Sequence, residues 1–364
     1  MGTDSVIYLR TDGNRHISTG HLVRCAAIFQ ALNKLGRKVC FLVADEDSRF
    51  LLEGFLSSAE PIRVLDKARY DCLEEELPTL LPLLSSQEKR PLLLLDSYYA
   101  TPEYLRAVRK VAAIAYIDDL RQWDYEVDLI LNYDLMSSAV LSEYEAFYRS
   151  ASNRLLGPAY TPLREQFADC HPVFRDSIRN VLLTSGGSDP EGFCLYFLTF
   201  ILESLSKEQA PCPFPGDRIT FHVVVGRLFS SQEKQALIQL GEKHNHLCIH
   251  EGLTDLAPLM KECDLALSAA GTTLYELCAL GVPSISYTMA DNQLDCAIAF
   301  KRASVIPYAG DLRREGPLAV SEKIRTFLEQ MYLLPGKREA AQDTMHRLID
   351  GKGSLRIAEA LCRL

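Results

Sequence analysis

Short apolar runs that alternate with stretches of helical period constrain this chain more than any other feature. Runs apolar on both faces and separated by helices are what a parallel sheet covered on both sides requires. In the first half, Val6 to Leu9, Val39 to Val43, Leu92 to Leu95, Ile114 to Ile117 and Leu129 to Leu131 read as strands. Helical patterns begin near His21 and around Phe50 to Leu56. The rhythm restarts with Val181 to Thr184, Phe221 to Val225, Leu247 to Ile249, Leu265 to Ser268 and Ser284 to Tyr287, and after Val320 it is helical to the end. Two successive parallel sheets predict two doubly wound α/β domains. The 364 residues suit two domains of about 150–200 residues each. The expected boundaries are 1–165 and 178–364, with a late helix crossing back onto the first domain. The stretch from Gly157 to Pro172, with three prolines and no sustained period, is the expected junction.

Charge and cysteine content narrow the partners. A formal net charge of −9 argues against a nucleic-acid or anionic-membrane surface, which needs a basic excess. It leaves room for a small anionic ligand, because backbone amides at a helix N-terminus hold phosphate without basic side chains. No apolar stretch approaches the ~18 residues of a membrane helix, and Met1 to Asp4 lacks the order of a secretory signal. The eleven cysteines, an odd number without a Cys-x-x-Cys pair, mostly sit in apolar runs. That pattern predicts reduced cytoplasmic packing residues, with no disulfide framework and no zinc site. No cofactor is expected.

Three loop segments carry candidate chemistry. Arg10-Thr11-Asp12 and the polar loop to Gly20-His21 follow the first strand, where open parallel sheets bind ligands. Ser18 or Thr19 is placed to cap the helix that runs through Leu22 and Cys25. A histidine here either acts as a general base or merely hydrogen-bonds the loop. Gly186-Gly187-Ser188-Asp189-Pro190 also follows a strand; its amides either meet a phosphate or form a plain tight turn. Ala270-Gly271-Thr272-Thr273-Leu274-Tyr275-Glu276 is the most distinctive. Small residues and two threonines open a helix fit for a diphosphate, and Glu276 is placed to accept hydrogen bonds from ribose hydroxyls. Asn292 and Gln293 either bond sugar or phosphate, or cap the next helix. His244, His246 and His250 read as a solvated connection rather than a metal site. Asp118 and Asp119 read as a polar rim or, less readily, a metal pair, and Trp123 and Tyr125 as packing.

Taken together, these segments resemble the UDP-2,4-diacetamido-2,4,6-trideoxy-β-L-altropyranose hydrolases of pseudaminic acid biosynthesis and related spore-coat polysaccharide proteins. The resemblance is carried by Arg10-Thr11-Asp12, Ile17-Ser18-Thr19-Gly20-His21-Leu22-Val23-Arg24-Cys25, Leu95-Asp96-Ser97-Tyr98 and Tyr116-Ile117-Asp118-Asp119-Leu120. It continues through Leu156-Gly157-Pro158-Ala159-Tyr160, Leu163-Arg164, Gly186 to Pro190, Gly271 to Glu276 and Asn292-Gln293. It implies a GT-B architecture of two Rossmann-like domains facing a central cleft, with UDP held mainly by the second domain. It implies metal-independent hydrolysis of a UDP-activated amino sugar at the anomeric carbon. His21 would be the base that activates water, Tyr98 would line the sugar side, and Thr272 and Thr273 would open the helix that receives the departing diphosphate. Where the family pattern is Gly-Gly-Ser-Thr-x-Trp-Glu, this chain has Ala270 to Glu276, which keeps the small residue, the hydroxyls and the carboxylate. The Asp12 to Ile17 loop departs further, with Arg15 and His16. A glycosyltransferase on the same scaffold is the alternative, favoured by an exposed apolar or basic patch on the first domain, and no such patch is evident from sequence. A UDP-sugar epimerase or a binding regulator without turnover ranks below both.

Overall fold

The computed structural model describes residues 5–14, 17, 19–56, 61–206 and 219–364. Arg15, His16 and Ser18 lie outside the described residues. The chain divides into two compact units, one made of Met1–Ala168 with Gly351–Leu364 and the other of Asp169–Asp350.

Unit 1 runs β1 (Ile7–Thr11), α1 (Gly20–Lys34), β2 (Val39–Val43), α2 (Glu46–Glu53), β3 (Ile62–Val64), α3 (Leu77–Ser85) and β4 (Leu92–Asp96). It continues with α4 (Pro102–Arg109), β5 (Ala113–Ile117), β6 (Leu129–Asn132), α5 (Ser138–Phe147) and β7 (Asn153–Leu156). The strands form one parallel sheet in the order β3-β2-β1-β4-β5-β6-β7. The central strands β1 and β4 are buried at every position, as a sheet covered on both faces demands. Alternate residues Tyr8, Leu93, Leu95, Ile114, Tyr116 and Ile130 share one core with side chains of α3 and α4. The helix read around Phe50 starts earlier, because Asp45 caps it by accepting from the Ser48 amide at 2.7 Å.

Unit 2 runs β8 (Asn180–Thr184), α6 (Phe193–Ser206), β9 (Thr220–Val225), α7 (Ser231–Lys243), β10 (Leu247–Glu251), α8 (Ala257–Glu262) and β11 (Leu265–Ala269). It closes with α9 (Thr272–Leu280), β12 (Ser284–Thr288), α10 (Leu294–Arg302), β13 (Tyr308–Asp311), α11 (Leu312–Glu315), α12 (Pro317–Leu333) and α13 (Pro335–Leu348). Its strands are again all parallel, ordered β10-β9-β8-β11-β12-β13. The last helix, α14 (Gly353–Leu361), belongs to unit 1, where it packs on α1 and Ser354 donates to the Leu163 carbonyl at 2.6 Å. No helix among the described residues is long and apolar enough to cross a membrane.

The strands read from the sequence are all present. Those it missed, β3, β7 and β13, are sheet edges. An edge strand need not be apolar on both faces, and β7 opens with the exposed residues Asn153 and Arg154; the periodicity that marks a central strand is therefore absent. In each sheet the strand order reverses once, between β1 and β4 in unit 1 and between β8 and β11 in unit 2. Ligands of open α/β sheets bind at the carboxyl ends beside such a reversal. The loops after those strands are thereby singled out before any side chain is considered.

Candidate functional site

In unit 1 the reversal brings the start of α1 against the end of β4. His21 stands in the first turn of α1 and is 3% exposed; Asp96 ends an otherwise all-leucine strand and is 1% exposed. The His21 Nδ1 lies 2.5 Å from Asp96 Oδ1. Two acceptors cannot sit that close, so a proton lies between them and the neutral imidazole carries it on Nδ1. Its Nε2 is then the basic nitrogen, and that atom is buried with no hydrogen-bond partner among the described residues. An unpartnered buried acceptor is costly to fold around, which marks Nε2 as the atom reserved for something else.

Arg24 stands one helical turn after His21. It donates to Asp96 through Nε at 2.6 Å and through Nη2, to Asp119 Oδ1 at 3.0 Å, and to the Tyr133 hydroxyl at 2.6 Å. Burial opposes ionisation of Asp96, but Arg24 and then His21 outweigh it and hold the carboxyl below the usual range. Burial likewise opposes the Arg24 cation, and Asp119 and Asp96 more than compensate. Tyr98, in the loop after β4, meets the His21 ring edge-on with centroids 4.4 Å apart.

The other sequence-derived residues of unit 1 are placed differently. Arg10 is 1% exposed and bonded to Glu76 (Nε–Oε2 2.9 Å, Nη2–Oε2 2.8 Å) and to Asp12 (2.5 Å). Asp12 also accepts from the Ala44 amide at 2.7 Å, and Glu76 from the Tyr104 hydroxyl at 2.7 Å. This closed group ties the β1 loop to its neighbours; its donors and acceptors are committed within the protein. Gly20 opens α1 with nothing within 4 Å of a would-be Cβ. Thr19 precedes the helix, but its hydroxyl makes no capping bond. Asp118 accepts from the amides of Leu120 (3.0 Å) and Arg121 (2.9 Å) and from Tyr148 (2.7 Å), and burial pushes its carboxyl up. It shapes the turn, while Asp119 joins Arg24. Among the described residues no group of three or more His, Cys, Asp or Glu is arranged to hold a metal ion, and the ten described cysteines are free thiols.

In unit 2 the reversal brings together the loops after β8 and β11. Gly271 precedes α9 with φ +157 and ψ −160, an extended backbone that only glycine tolerates. No side chain caps α9 and its first turn carries no acidic residue. The amides of Thr272 and Thr273 point past the helix end before the first intrahelical bond, which is the arrangement that takes up an anion. Glu276 follows in the same helix, 7% exposed. The loop Gly186-Gly187-Ser188 stands beside this helix end, on the neighbouring strand. The anion seat expected in its own helix is filled from within: Asp189 accepts from the Phe193 and Cys194 amides at 2.9 and 2.8 Å. Asn292 and Gln293 form a 3-10 turn after β12. Gln293 accepts from the Met289 amide at 2.9 Å, whereas Asn292 is exposed.

The loop after β9 braces the glycine loop. A Cβ on Gly226 would lie 2.4 Å from the carbonyl oxygens of both Gly186 and Gly187, and Leu228 donates to Gly187 at 2.9 Å. Backbone cannot yield as a flexible side chain does. Gly226→Ala is expected to cost about 1–3 kcal/mol, measured by a thermal melt. A cavity of about 430 Å³ in unit 2, lined by Phe174, Asp264, Pro283 and Arg338 among others, opens instead at the amino ends of the strands, away from these loops.

Of the three clustered histidines, His250 is a half-buried partner rather than part of a solvated connection. His222 donates from Nε2 to Asn180 Oδ1 (3.1 Å), so its Nδ1 accepts from His250 Nε2 (3.0 Å). Burial, and for His222 then the neighbouring His250, holds both below the usual imidazole range. A depressed value favours the neutral folded form. The pair therefore contributes fully above about pH 6.5, and the contribution is lost as pH falls through the lower folded values. Melting temperature should drop on going from about pH 7.5 to about pH 5, and His250→Gln should flatten that dependence.

Arg24 and Asp96 are the residues that sequence reasoning left unassigned, although both stand in segments that carry the resemblance. Their signals were a cation at i+3 from His21 and a carboxylate closing an apolar strand at the ligand-binding end.

Two doubly wound parallel-sheet units define the GT-B fold. MurG of Acinetobacter baumannii matches with a TM-score of 0.66 and 13% identity, covering 99% of this chain and 100% of that one. UGT89C1 of Arabidopsis thaliana, complexed with UDP, matches with a TM-score of 0.65 and 13% identity over 99% of this chain and 100% of that one. In sequence the chain is similar to the spore coat polysaccharide biosynthesis protein SpsG of Bacillus subtilis, 25% identical over 360 residues and 96% of each chain. No family model matches the chain.

Proposed function

We propose that this protein is a cytoplasmic hydrolase of a UDP-activated diacetamido-trideoxyhexose. It cleaves the sugar at its anomeric carbon to release UDP and free sugar for nonulosonic acid or surface polysaccharide biosynthesis. The observation that carries the reading is a buried histidine whose Nδ1 is fixed on Asp96 and whose Nε2 has no partner among the described residues. The similarity to SpsG along 96% of both chains supports a role in polysaccharide biosynthesis. The UDP bound by a protein of the same fold supports the nucleotide.

In this reading the uncapped start of α9 binds the diphosphate and Glu276 the ribose. His21 Nε2 takes a proton from water as the water oxygen bonds to the anomeric carbon. The bond from that carbon to the diphosphate oxygen breaks, and its electron pair leaves with UDP. Charge growing on the diphosphate is met by the dipole and amides of α9. Asp96 keeps the proton on Nδ1 beforehand and faces the imidazolium afterwards. The protein's own groups supply base, orientation and charge stabilisation.

One observation favours a transferase instead. Tyr99, Leu120 and Trp123 are 40%, 45% and 44% exposed in the loops after β4 and β5, an apolar feature of unit 1 that the sequence reading had not found. Such a surface suits a second sugar or a lipid-linked acceptor. The discriminating experiment incubates the protein with UDP-2,4-diacetamido-2,4,6-trideoxy-L-altrose, without acceptor or added metal, and follows UDP by chromatography. Multiple turnovers support the hydrolase. Release only after a hydroxyl-bearing acceptor is added would replace it with the transferase.

A further inference from the structure

The cluster around His21 holds more charge than a base and its orienting carboxylate require. Arg24 engages Asp96 side-on, through Nε to Oδ2 at 2.6 Å and through Nη2 to Oδ1. With its remaining donors it engages Asp119, at 3.0 Å from Nη1 and 2.8 Å from Nη2. Among the described residues, Asp119 makes its ion pair with Arg24 alone. It reaches the histidine only through that guanidinium.

The groups that face His21 can be taken element by element. Helix α1 contributes Arg24 and Cys25, β4 contributes Asp96, and the loop after β4 contributes Tyr98. The loops after β5 and β6 contribute Asp119 and Tyr133. Burial pushes the Cys25 thiol and the Tyr133 phenol up, so both stay neutral. Arg10, Asp12 and Glu76 form their own closed group. Among the described residues the charges left are one guanidinium and two carboxylates. The cluster therefore carries a net negative charge while His21 is neutral, and becomes neutral once His21 has taken a proton.

We propose that Arg24 and Asp119 are positioning residues that govern how firmly the cluster holds a proton taken up by His21, Arg24 by masking Asp96 and Asp119 by offsetting Arg24. Arg24 shares the Asp96 Oδ1 that His21 Nδ1 holds, and so weakens the pull of Asp96 on an imidazolium. Asp119 restores part of the negative charge, so that proton transfer from water still ends in a neutral cluster. The two residues oppose each other, and their removal must act in opposite directions.

This inference rests on the base assignment to His21, so its test is read without turnover as well as with it. The His21 ring protons are titrated by NMR, the resonance being assigned by its loss in His21→Asn. The acid limb of kcat/KM is followed in parallel. Asp119→Asn, at a partly exposed side chain, should lower the titration midpoint by about one pH unit, and Arg24→Met should raise it by about one. The acid limb should move with it. An unmoved midpoint in Asp119→Asn, or shifts of the same sign in both variants, would overturn the proposal. Asp119→Asn decides alone if Arg24→Met does not fold. Opposed shifts in a protein that turns over no UDP-sugar would uphold the charge cluster and refute the hydrolase instead.

Discussion

Replacing His21 with alanine is expected to lower turnover by about 10²–10⁴-fold, the range a positioned general base supplies, while UDP affinity stays as in the wild type. The expectation follows from where the two functions lie in the fold. In the proposed reading, proton transfer falls to Nε2 in the first turn of α1, and the diphosphate to the start of α9 in the other unit. UDP release rates and calorimetric titration with UDP separate the two. Unchanged turnover would remove the base assignment. Equal loss of turnover and of UDP binding would mean that the substitution disturbs more than proton transfer.

Asp96→Asn is expected to be nearly as severe for rate, about 10²–10⁴-fold, and worse for stability. The rate falls because an amide in place of the carboxylate no longer fixes the Nδ1–H tautomer or faces the imidazolium as it forms. The stability falls because Arg24, 5% exposed, loses the partner it engages side-on. Breaking a buried ion pair on one side costs about 3–5 kcal/mol. Melting temperature and turnover, measured where the variant is still folded, check both halves. The sign of the pH dependence also follows. The Asp96 carboxyl is held below its usual range, so its contribution is complete above about pH 4 and is lost as pH falls through the folded value. Wild type should therefore lose stability in acid more steeply than Asp96→Asn.

How much of this was legible in the sequence varies along the chain. The central strands were readable because burial on both faces leaves an unbroken apolar run, as in the leucines of β4. The edge strands β3 and β7 were not, because they keep polar residues facing outward, whereas the edge strand β10 was. The distinctive segments Gly20-His21 and Gly271-Thr272-Thr273 stand out because each joins a strand to a helix at the ligand-binding end, and the strand order places both beside a reversal. Arg10 and Asp12 illustrate the opposite. As residue types at a strand end they suggest ligand binding, but the partner that absorbs Arg10 is Glu76, distant in sequence. Nothing local to either residue announces the pairing. His250 was misread for a similar reason, since its partner His222 lies on the neighbouring strand. Asp96 is the instructive omission. A single carboxylate closing an apolar strand at its carboxyl end stands where open sheets bind ligands, and it holds both the histidine and Arg24.

The most direct test of the central claim is the fate of the water oxygen. Hydrolysis of the UDP-sugar in ¹⁸O-labelled water, stopped early and analysed by mass spectrometry, shows which bond breaks. Attack at the anomeric carbon puts the label in the free sugar and leaves UDP unlabelled. Label in the UDP phosphate would mean cleavage of the phosphorus–oxygen bond and would contradict this account, as would failure of wild-type protein to release sugar into water at all.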